Sequence, residues 1–145
     1  FVKDLMNNTS RDASGSGYIT TLLGRKCRFD KWEEAVYNPG VLKVPMSHAE
    51  AEKKYGGESI RRAFTYKALN KLIQGSAADM TKRAMLDLYK EGIVPHIQVH
   101  DELDISVESP EQAKKIIEIM ENAVKLNIPN KVDYEEGNNW GEING

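Results

Sequence analysis

The stretch QVHDELDISV, residues 98–107, decides the fold, because charged residues interrupt an apolar pattern there. Apolar and polar residues alternate on both sides of the charged centre, with Ile97 and Val99 before it and Leu103, Ile105 and Val107 after it. A period of two is typical of a β-strand with one buried face. Two such runs joined by a few polar residues predict a hairpin, with His100, Asp101 and Glu102 at or beside its tip.

The tip of this hairpin carries two adjacent carboxylates, Asp101 and Glu102, which need not be buried there. Their mutual repulsion favours a bound cation. Mg²⁺ prefers hard oxygen ligands and takes one or two carboxylates, completing its octahedron with water and phosphate. The alternative is a polar turn whose side chains face only water. The residues at the tip do not by themselves decide between the two.

Helical periodicity flanks the hairpin. Between residues 58 and 91, apolar residues recur every three or four positions, which predicts a helix closed by Gly92, with a kink or a break at Gly75. Ser109 and Pro110 predict the capped start of another helix. Its predicted buried face consists of Ala113, Ile116, Ile117, Met120, Ala123 and Val124.

The rest of the chain is less regular. Residues 1–6 predict the end of a helix that runs into a polar, flexible segment. Residues 18–23 predict a short strand, and residues 30–57 predict a long loop with one helical turn near 48–54. A last strand is predicted at 131–134.

Helix, hairpin, helix and strand together predict an α+β fold, in which antiparallel strands carry helices on one face. The predicted division lies after residue 57. Residues 1–57 form the first segment with its long loop, and residues 58–145 hold the two long helices and the hairpin.

Composition narrows the functional classes. The chain has 145 residues, enough for one domain with a core or for part of a larger one. Its single cysteine, Cys27, excludes an internal disulfide and fits a reducing cytoplasm. No apolar run approaches the roughly 20 residues of a membrane span, and no secretory signal opens the chain. Because it begins at Phe1 rather than Met, we expect a fragment or a processed piece.

Charge is distributed unevenly along the chain. Residues 1–90 carry 16 Lys/Arg against 10 Asp/Glu, and residues 91–145 carry 4 against 12. A basic half indicates a polyanionic partner, and an acidic half shares that partner only if cations intervene. Solvated faces on an ordinary protein are the alternative.

A polar stripe lies within the long helix, because Lys67, Asn70 and Gln74 stand at i, i+3 and i+7. Amide side chains reach the minor-groove acceptors that all base pairs share, so they test duplex shape rather than sequence. A lysine beside them would serve phosphate. The alternative is a solvated helix face.

Three blocks resemble, in order and spacing, the C-terminal part of family A DNA polymerases, the bacterial polymerase I type with its phage relatives. The blocks are GYITTLLGR at 17–25, ALNKLIQGSAAD at 68–79 and QVHDEL at 98–103. Residues 132–140 also resemble the closing strand and the Asn-Trp ending of this family, and the loop 28–33 is more similar to phage members. The resemblance covers nearly all 145 residues.

The resemblance implies an incomplete polymerase fold. A partial fingers segment at 1–57 would precede an antiparallel palm sheet whose motif C hairpin is packed by helices. It also implies nucleotidyl transfer to a primer 3′-OH with two Mg²⁺ ions. Asp101 and Glu102 would contribute the carboxylates that hold metal, and His100 would lie near the primer terminus.

The resemblance further implies that Asn70 and Gln74 contact the duplex minor groove, with Lys67 beside them and Arg25 as another nucleic-acid contact. Bacterial members usually have arginine where this chain has Tyr66, so that contact does not carry over. The implied partners are primer-template DNA, deoxynucleoside triphosphates and an N-terminal segment or subunit that supplies the upstream motifs A and B. The chain would be inactive alone. Its expected location is the cytoplasm, that of the host if it is phage-encoded.

Two other functions remain open from the residues. One is a non-catalytic DNA-binding or structural module that retains the palm fold. The presence of Asp101 and Glu102 together with Asn70 and Gln74 argues against it. The other is a metal-dependent nuclease built around the acidic hairpin, but the sequence offers no second carboxylate cluster for it.

Overall fold

The computed structural model describes residues 1–36, 40 and 42–143. Its helices are α1 (Val2–Ser16), α2 (His48–Tyr55), α3 (Ala68–Lys90), α4 (Pro110–Asn122) and α5 (Trp140–Ile143). Its strands are β1 (Tyr18–Thr20), β2 (Lys26–Arg28), β3 (Trp32–Glu34), β4 (Ile60–Arg62), β5 (Ile97–Val99) and β6 (Glu102–Asp104). They pair as β1–β2, β3–β4 and β5–β6, three separate antiparallel sheets of two strands. A mixture of helices and small antiparallel sheets is therefore confirmed, but the described strands do not join into one sheet.

Packing divides the chain into two compact units, Phe1–Ser76 and Ala77–Gly145. The division falls within α3, so that helix contributes residues to both units. The boundary predicted after residue 57 concerns the subdomains of a polymerase and stays a prediction.

The core of the first unit joins α1, the β1–β2 hairpin and the start of α3. Ala13, Ile19, Phe29 and Ala68 are buried together, and Leu72 packs against them with Cys27. Short apolar side chains from both helices let the backbones approach the hairpin closely.

Gly17 ends α1 in the left-handed region, with a φ of +81°. A Cβ at this position would lie 2.7 Å from the guanidinium carbon of Arg62. Glycine is thus required both by its backbone conformation and by the side chain that packs over it.

Helix α1 is longer than predicted, because it continues through the polar segment to Ser16. Its hydroxyl groups donate to carbonyls four residues earlier: Thr9 to Leu5 at 2.7 Å, Ser14 to Ser10 at 2.8 Å and Ser16 to Asp12 at 2.7 Å. Thr9 and Ala13 are buried, so one face of α1 packs against the rest of the first unit. The prediction that the helix ends near Met6 was wrong, since polarity alone does not exclude a helix whose side chains bond its own backbone.

Strand β3 lies inside the segment predicted as a long loop. It pairs with β4, and Arg61 bonds the carboxylate of Glu33 with distances of 2.8 and 2.9 Å. The guanidinium of Arg62 lies 4.6 Å from the ring centre of Trp32, in cation–π geometry. The helical turn predicted in the same segment is confirmed as α2, which begins with a capping box between Ser47 and Glu50.

The long helix begins later than its apolar pattern predicted. Residues 57–67 instead contain β4 and two 3₁₀ turns, at Gly57–Ser59 and Thr65–Lys67. The predicted end is confirmed: Gly92 has a φ of +77°, and its N–H donates to the Tyr89 carbonyl at 3.0 Å. This left-handed residue satisfies a carbonyl in the last turn of α3.

In the second unit, α4 starts as predicted with Pro110 in its first turn and Ser109 as the cap. The Ser109 hydroxyl accepts the Gln112 N–H at 3.2 Å, whereas the Gln112 side chain accepts from Glu108 instead of Ser109. Of its predicted face, Ala113, Ile116 and Val124 are buried and the other three are partly buried.

An ion pair joins Glu91, the residue after α3, to the middle of α4 in this unit. Lys115 Nζ lies 2.7 Å from a carboxylate oxygen of Glu91. The hydrogen bond from Lys115 lowers the pKa of Glu91. Both side chains are about half exposed, so solvent screens this pair.

The predicted last strand at 131–134 does not form. The Val132 N–H donates to the Glu121 carboxylate of α4 at 3.2 Å, and Lys131 Nζ lies 3.7 Å from the same carboxylate. A strand needs a neighbouring backbone, and here a side chain of α4 takes that place. No described helix combines the length and apolarity that a membrane span requires.

Candidate active-site hairpin and nucleic-acid interface

The tip of the β5–β6 hairpin is a loop of two residues, because Val99 pairs directly with Glu102. A two-residue loop requires a positive φ at its first position. His100 occupies that position with a φ of +53°, and histidine adopts this region more readily than most residues. The Gln98 side chain donates to the His100 carbonyl. The predicted placement of His100 and Asp101 at the tip, with Glu102 beside them, is confirmed.

Both carboxylates at the tip are exposed, and neither bonds to any residue that the structure describes. Because Asp101 lies in the loop and Glu102 in the strand, strand alternation does not force them onto opposite faces. Over the described residues, no group of three or more His, Cys, Asp or Glu side chains could hold a metal ion. The chain therefore offers two unpaired hard ligands, which fits Mg²⁺ only as part of a larger ligand set.

The register of the hairpin gives each face a mixed character. Pairing brings Ile97 opposite Asp104, Gln98 opposite Leu103 and Val99 opposite Glu102. Paired residues project to the same face of an antiparallel sheet. Ile97 and Val99 remain 40% and 38% exposed, so the face that they share with Asp104 and Glu102 presents both apolar and acidic surface.

A cavity of about 620 Å³ lies within the second unit. Its apolar lining includes Met80 and Ala84 from α3, Val99 and Leu103 from the hairpin, and Ile116 and Met120 from α4. Asp101 and Glu102 also border it. The acidic tip thus borders a cavity whose lining mixes apolar and polar residues.

In the first unit, Asn70 and Gln74 are exposed one turn apart on α3, with Ile73 between them 57% exposed. Ala68 and Leu72 occupy the opposite face and pack on the core. Neither amide side chain bonds to a residue in the described ranges. The helix therefore presents two adjacent amides outward, as the pattern predicted.

Lys67 does not belong to that helical face. It ends the 3₁₀ turn before α3, and its Nζ lies 5.3 Å from the ring centre of Phe64 and 5.6 Å from that of Tyr66. Lys67 is exposed, so its charge stays accessible beside the start of α3.

Arg25 lies after the turn that joins β1 to β2. Its Nη2 donates to the Gly75 carbonyl at 2.8 Å, and its Nη1 lies 3.9 Å from the Sγ atom of Cys27. Helix α3 runs through Gly75 without interruption, so the predicted break does not occur. Sequence reasoning found both residues but not the contact between them.

Comparison with known proteins decides the family. The sequence profile of DNA polymerase family A matches residues 1–142. The chain belongs to DNA polymerase family A. The predicted resemblance is thereby confirmed for almost the whole sequence.

Family members from phage and bacteria are similar to this chain. The DNA-directed DNA polymerase of Pseudomonas phage M6 is 37% identical over 145 residues, which are 100% of this chain and 18% of that polymerase. DNA polymerase I of Bacillus caldotenax is 34% identical over 148 residues, which cover 96% of this chain and 14% of that polymerase. This chain spans less than a fifth of either relative.

Among solved structures, the POL domain of Pol1 from M. smegmatis, in complex with DNA primer-template and dNTP, is similar to this chain. The TM-score is 0.58 at 30% identity, and the match covers 88% of this chain and 20% of that one. The family A fold is therefore supported by structure as well as by sequence.

Proposed function

We propose that this chain is the C-terminal palm and fingers part of a DNA-templated DNA polymerase, which adds nucleotides to a primer 3′-OH. The observation that carries this proposal is the exposed, unpaired acidic pair at the two-residue tip, in a chain that belongs to DNA polymerase family A. The complex of the M. smegmatis relative with primer-template and dNTP supports the same partners for this chain.

In this proposal Asp101 and Glu102 contribute the carboxylates of a two-Mg²⁺ site. Mg²⁺ bound there would make the primer hydroxyl a better nucleophile and neutralise charge on the triphosphate. His100, held at the tip beside Asp101, would border the primer terminus. The exposed position of all three side chains leaves them accessible to substrate.

The exposed face of α3 supplies the proposed duplex contact. Asn70 and Gln74 would bond minor-groove acceptors, and Lys67 would attract the phosphate backbone. The absence of bonds between the two amides and other described residues supports this role, since their hydrogen-bonding groups stay available.

Two carboxylates are only part of the ligands that Mg²⁺ needs, and the described residues offer no group of three or more candidate ligands. We propose an upstream segment or subunit that carries motifs A and B, in keeping with the 18% of the phage polymerase that this chain spans. The complete enzyme would work in the cytoplasm, that of the host if it is phage-encoded.

A chimera tests the proposed function. This chain replaces the segment that it matches in the Pseudomonas phage M6 polymerase, and primer extension is measured with and without Mg²⁺. We expect extension by the chimera and none by the pure 145-residue chain. A folded chimera that binds primer-template without extending it would instead indicate a non-catalytic module.

Asn70→Ala and Gln74→Ala test the duplex contact in the same chimera. Each change removes minor-groove hydrogen bonds worth about 1 kcal/mol, so we expect primer-template binding to weaken about fivefold. Thermal melting should stay unchanged, because both side chains are exposed. Normal binding by both variants, or a loss of stability in both, would show that this face does not contact DNA.

A further inference from the structure

The loop between β1 and β2, residues 21–25, is a rigid hydrogen-bonded turn. The Thr21 N–H donates to the Arg25 carbonyl at 2.9 Å, and the Arg25 N–H donates to Thr21 Oγ1 at 3.1 Å. The Gly24 N–H donates to the Thr21 carbonyl at 3.0 Å, and Thr21 itself is buried. These bonds leave the 21–25 turn little freedom to change shape.

Two hydrogen bonds join the 21–25 turn to one point on α3. The Leu22 N–H donates to Ser76 Oγ at 3.0 Å, and Arg25 Nη2 donates to the Gly75 carbonyl at 2.8 Å. The second bond is charge-assisted, which makes it stronger than a neutral one. The turn thus holds the helix by its backbone and by one hydroxyl.

Gly75 makes this approach possible. A Cβ at residue 75 would lie 2.9 Å from Thr21 Cγ2 and 3.3 Å from Arg25 Nη2. A glycine inside a helix is less favourable than alanine, so its presence here is explained by the close contact. Glycine therefore lets the side chains of Thr21 and Arg25 pack directly against the backbone of α3.

Gly75 and Ser76, the two residues of α3 that the 21–25 turn holds, lie next to the proposed duplex contact. Gln74 immediately precedes Gly75, and Asn70 lies one turn earlier on the exposed face. A hydrogen bond to a base edge weakens when donor and acceptor move by a few tenths of an ångström. Any shift of this turn of α3 would therefore disturb the amides that face the duplex.

We propose that Arg25 and Ser76 are positioning residues for DNA binding. Through the 21–25 turn they hold the part of α3 that presents Gln74 to the primer-template duplex. In this account Arg25 acts on the Gly75 carbonyl, in place of the direct nucleic-acid contact predicted for it. The inference rests on the proposed function.

The test uses the chimera and measures the dissociation constant of primer-template at several salt concentrations. We expect Arg25→Ala and Ser76→Ala each to weaken binding about fivefold, because each removes a hydrogen bond between the 21–25 turn and α3. The salt dependence should not change, because no phosphate contact is lost. Ser76→Thr keeps a hydroxyl acceptor and should bind like the unmodified chimera.

A double-mutant cycle distinguishes positioning of Gln74 from a general structural role of Arg25, because only positioning makes the effect of Arg25→Ala depend on Gln74. If Arg25 acts through Gln74, then adding Arg25→Ala to Gln74→Ala should cause little further loss, under about twofold. If Arg25 contacts a phosphate, the two losses multiply and the slope of log affinity against log salt falls by about one. That outcome would overturn the inference.

The outcomes separate this inference from the proposed function. A chimera that neither binds nor extends primer-template contradicts both. An active chimera in which Arg25→Ala and Ser76→Ala bind normally contradicts only the positioning role. Thermal melts ensure that binding is measured on folded protein, and if Arg25→Ala does not fold, the Ser76→Ala and Ser76→Thr pair decides the question.

Discussion

Asp101→Asn should reduce primer extension by the chimera about a thousandfold or more. The substitution keeps nearly the same volume at the tip but replaces an anionic oxygen with a neutral amide oxygen, a much poorer ligand for Mg²⁺. Positioning of charge supplies most of the transition-state stabilisation in phosphoryl transfer, so a weakened metal site affects the rate directly. The measurement is single-turnover primer extension across a range of Mg²⁺ concentrations.

Asp104→Asn is the matched control, since it makes the same chemical change two residues beyond Glu102. Asp104 ends β6 and pairs with Ile97, away from the loop. We expect a loss of activity at least a hundredfold smaller there than at Asp101. Folding should tolerate Asp101→Asn, because removing one of two adjacent charges relieves repulsion. Equal losses at both positions, or a lower melting temperature without a Mg²⁺-dependent defect, would identify a structural turn instead of an active site.

Leu88→Ala should lower the free energy of unfolding by about 3 kcal/mol. Leu88 is the largest fully buried side chain among the described residues, and its exposed fraction is 0%. Removing three carbon atoms there loses their burial and leaves a cavity that the surrounding helix cannot close. Urea denaturation of the 145-residue chain, followed by circular dichroism, measures the change.

Leu86→Ala makes the same truncation two residues away on α3, where the side chain is 49% exposed. Truncating an exposed side chain removes less buried apolar area, and alanine favours the helix. We therefore expect the free energy of unfolding to fall by less than about 1 kcal/mol. Similar losses at the two positions would contradict the difference in burial between Leu88 and Leu86.

The sequence predicted correctly those helices and strands whose formation depends on residues close to them in the chain. Alternation around residues 98–107 located the β5–β6 hairpin, and Ser109 with Pro110 marked the start of α4. Gly92 marked the end of α3 for the same reason, since a left-handed residue after a helix is a local requirement. Each signal lies within a few residues of the structure that it specifies.

Contacts between distant residues could not be predicted in this way. Strand β3 exists because β4 pairs with it nearly thirty residues later, and neither strand has a period of its own. Gly75 predicted a kink or a break in α3, yet its missing side chain leaves room for Thr21, more than fifty residues earlier. Conversely, residues 131–134 have a strand pattern but no neighbouring strand to pair with.

For the candidate site, the sequence located the residues and the structure gave their surroundings. The exposure of the acidic pair and of the two α3 amides follows from the fold. The roles that we propose for them in catalysis and DNA binding come from the family resemblance. The chimera and the Asp101 and Asp104 variants address those roles directly.

The two-residue loop of the β5–β6 hairpin also limits how this region can change length during evolution. A loop of two residues is already about as short as a hairpin allows, so a deletion would have to shorten the strands. If a single inserted residue slipped the register, Glu102 and Asp104 would exchange faces with Leu103. We therefore expect this turn to accept replacements of single residues while its length stays constant.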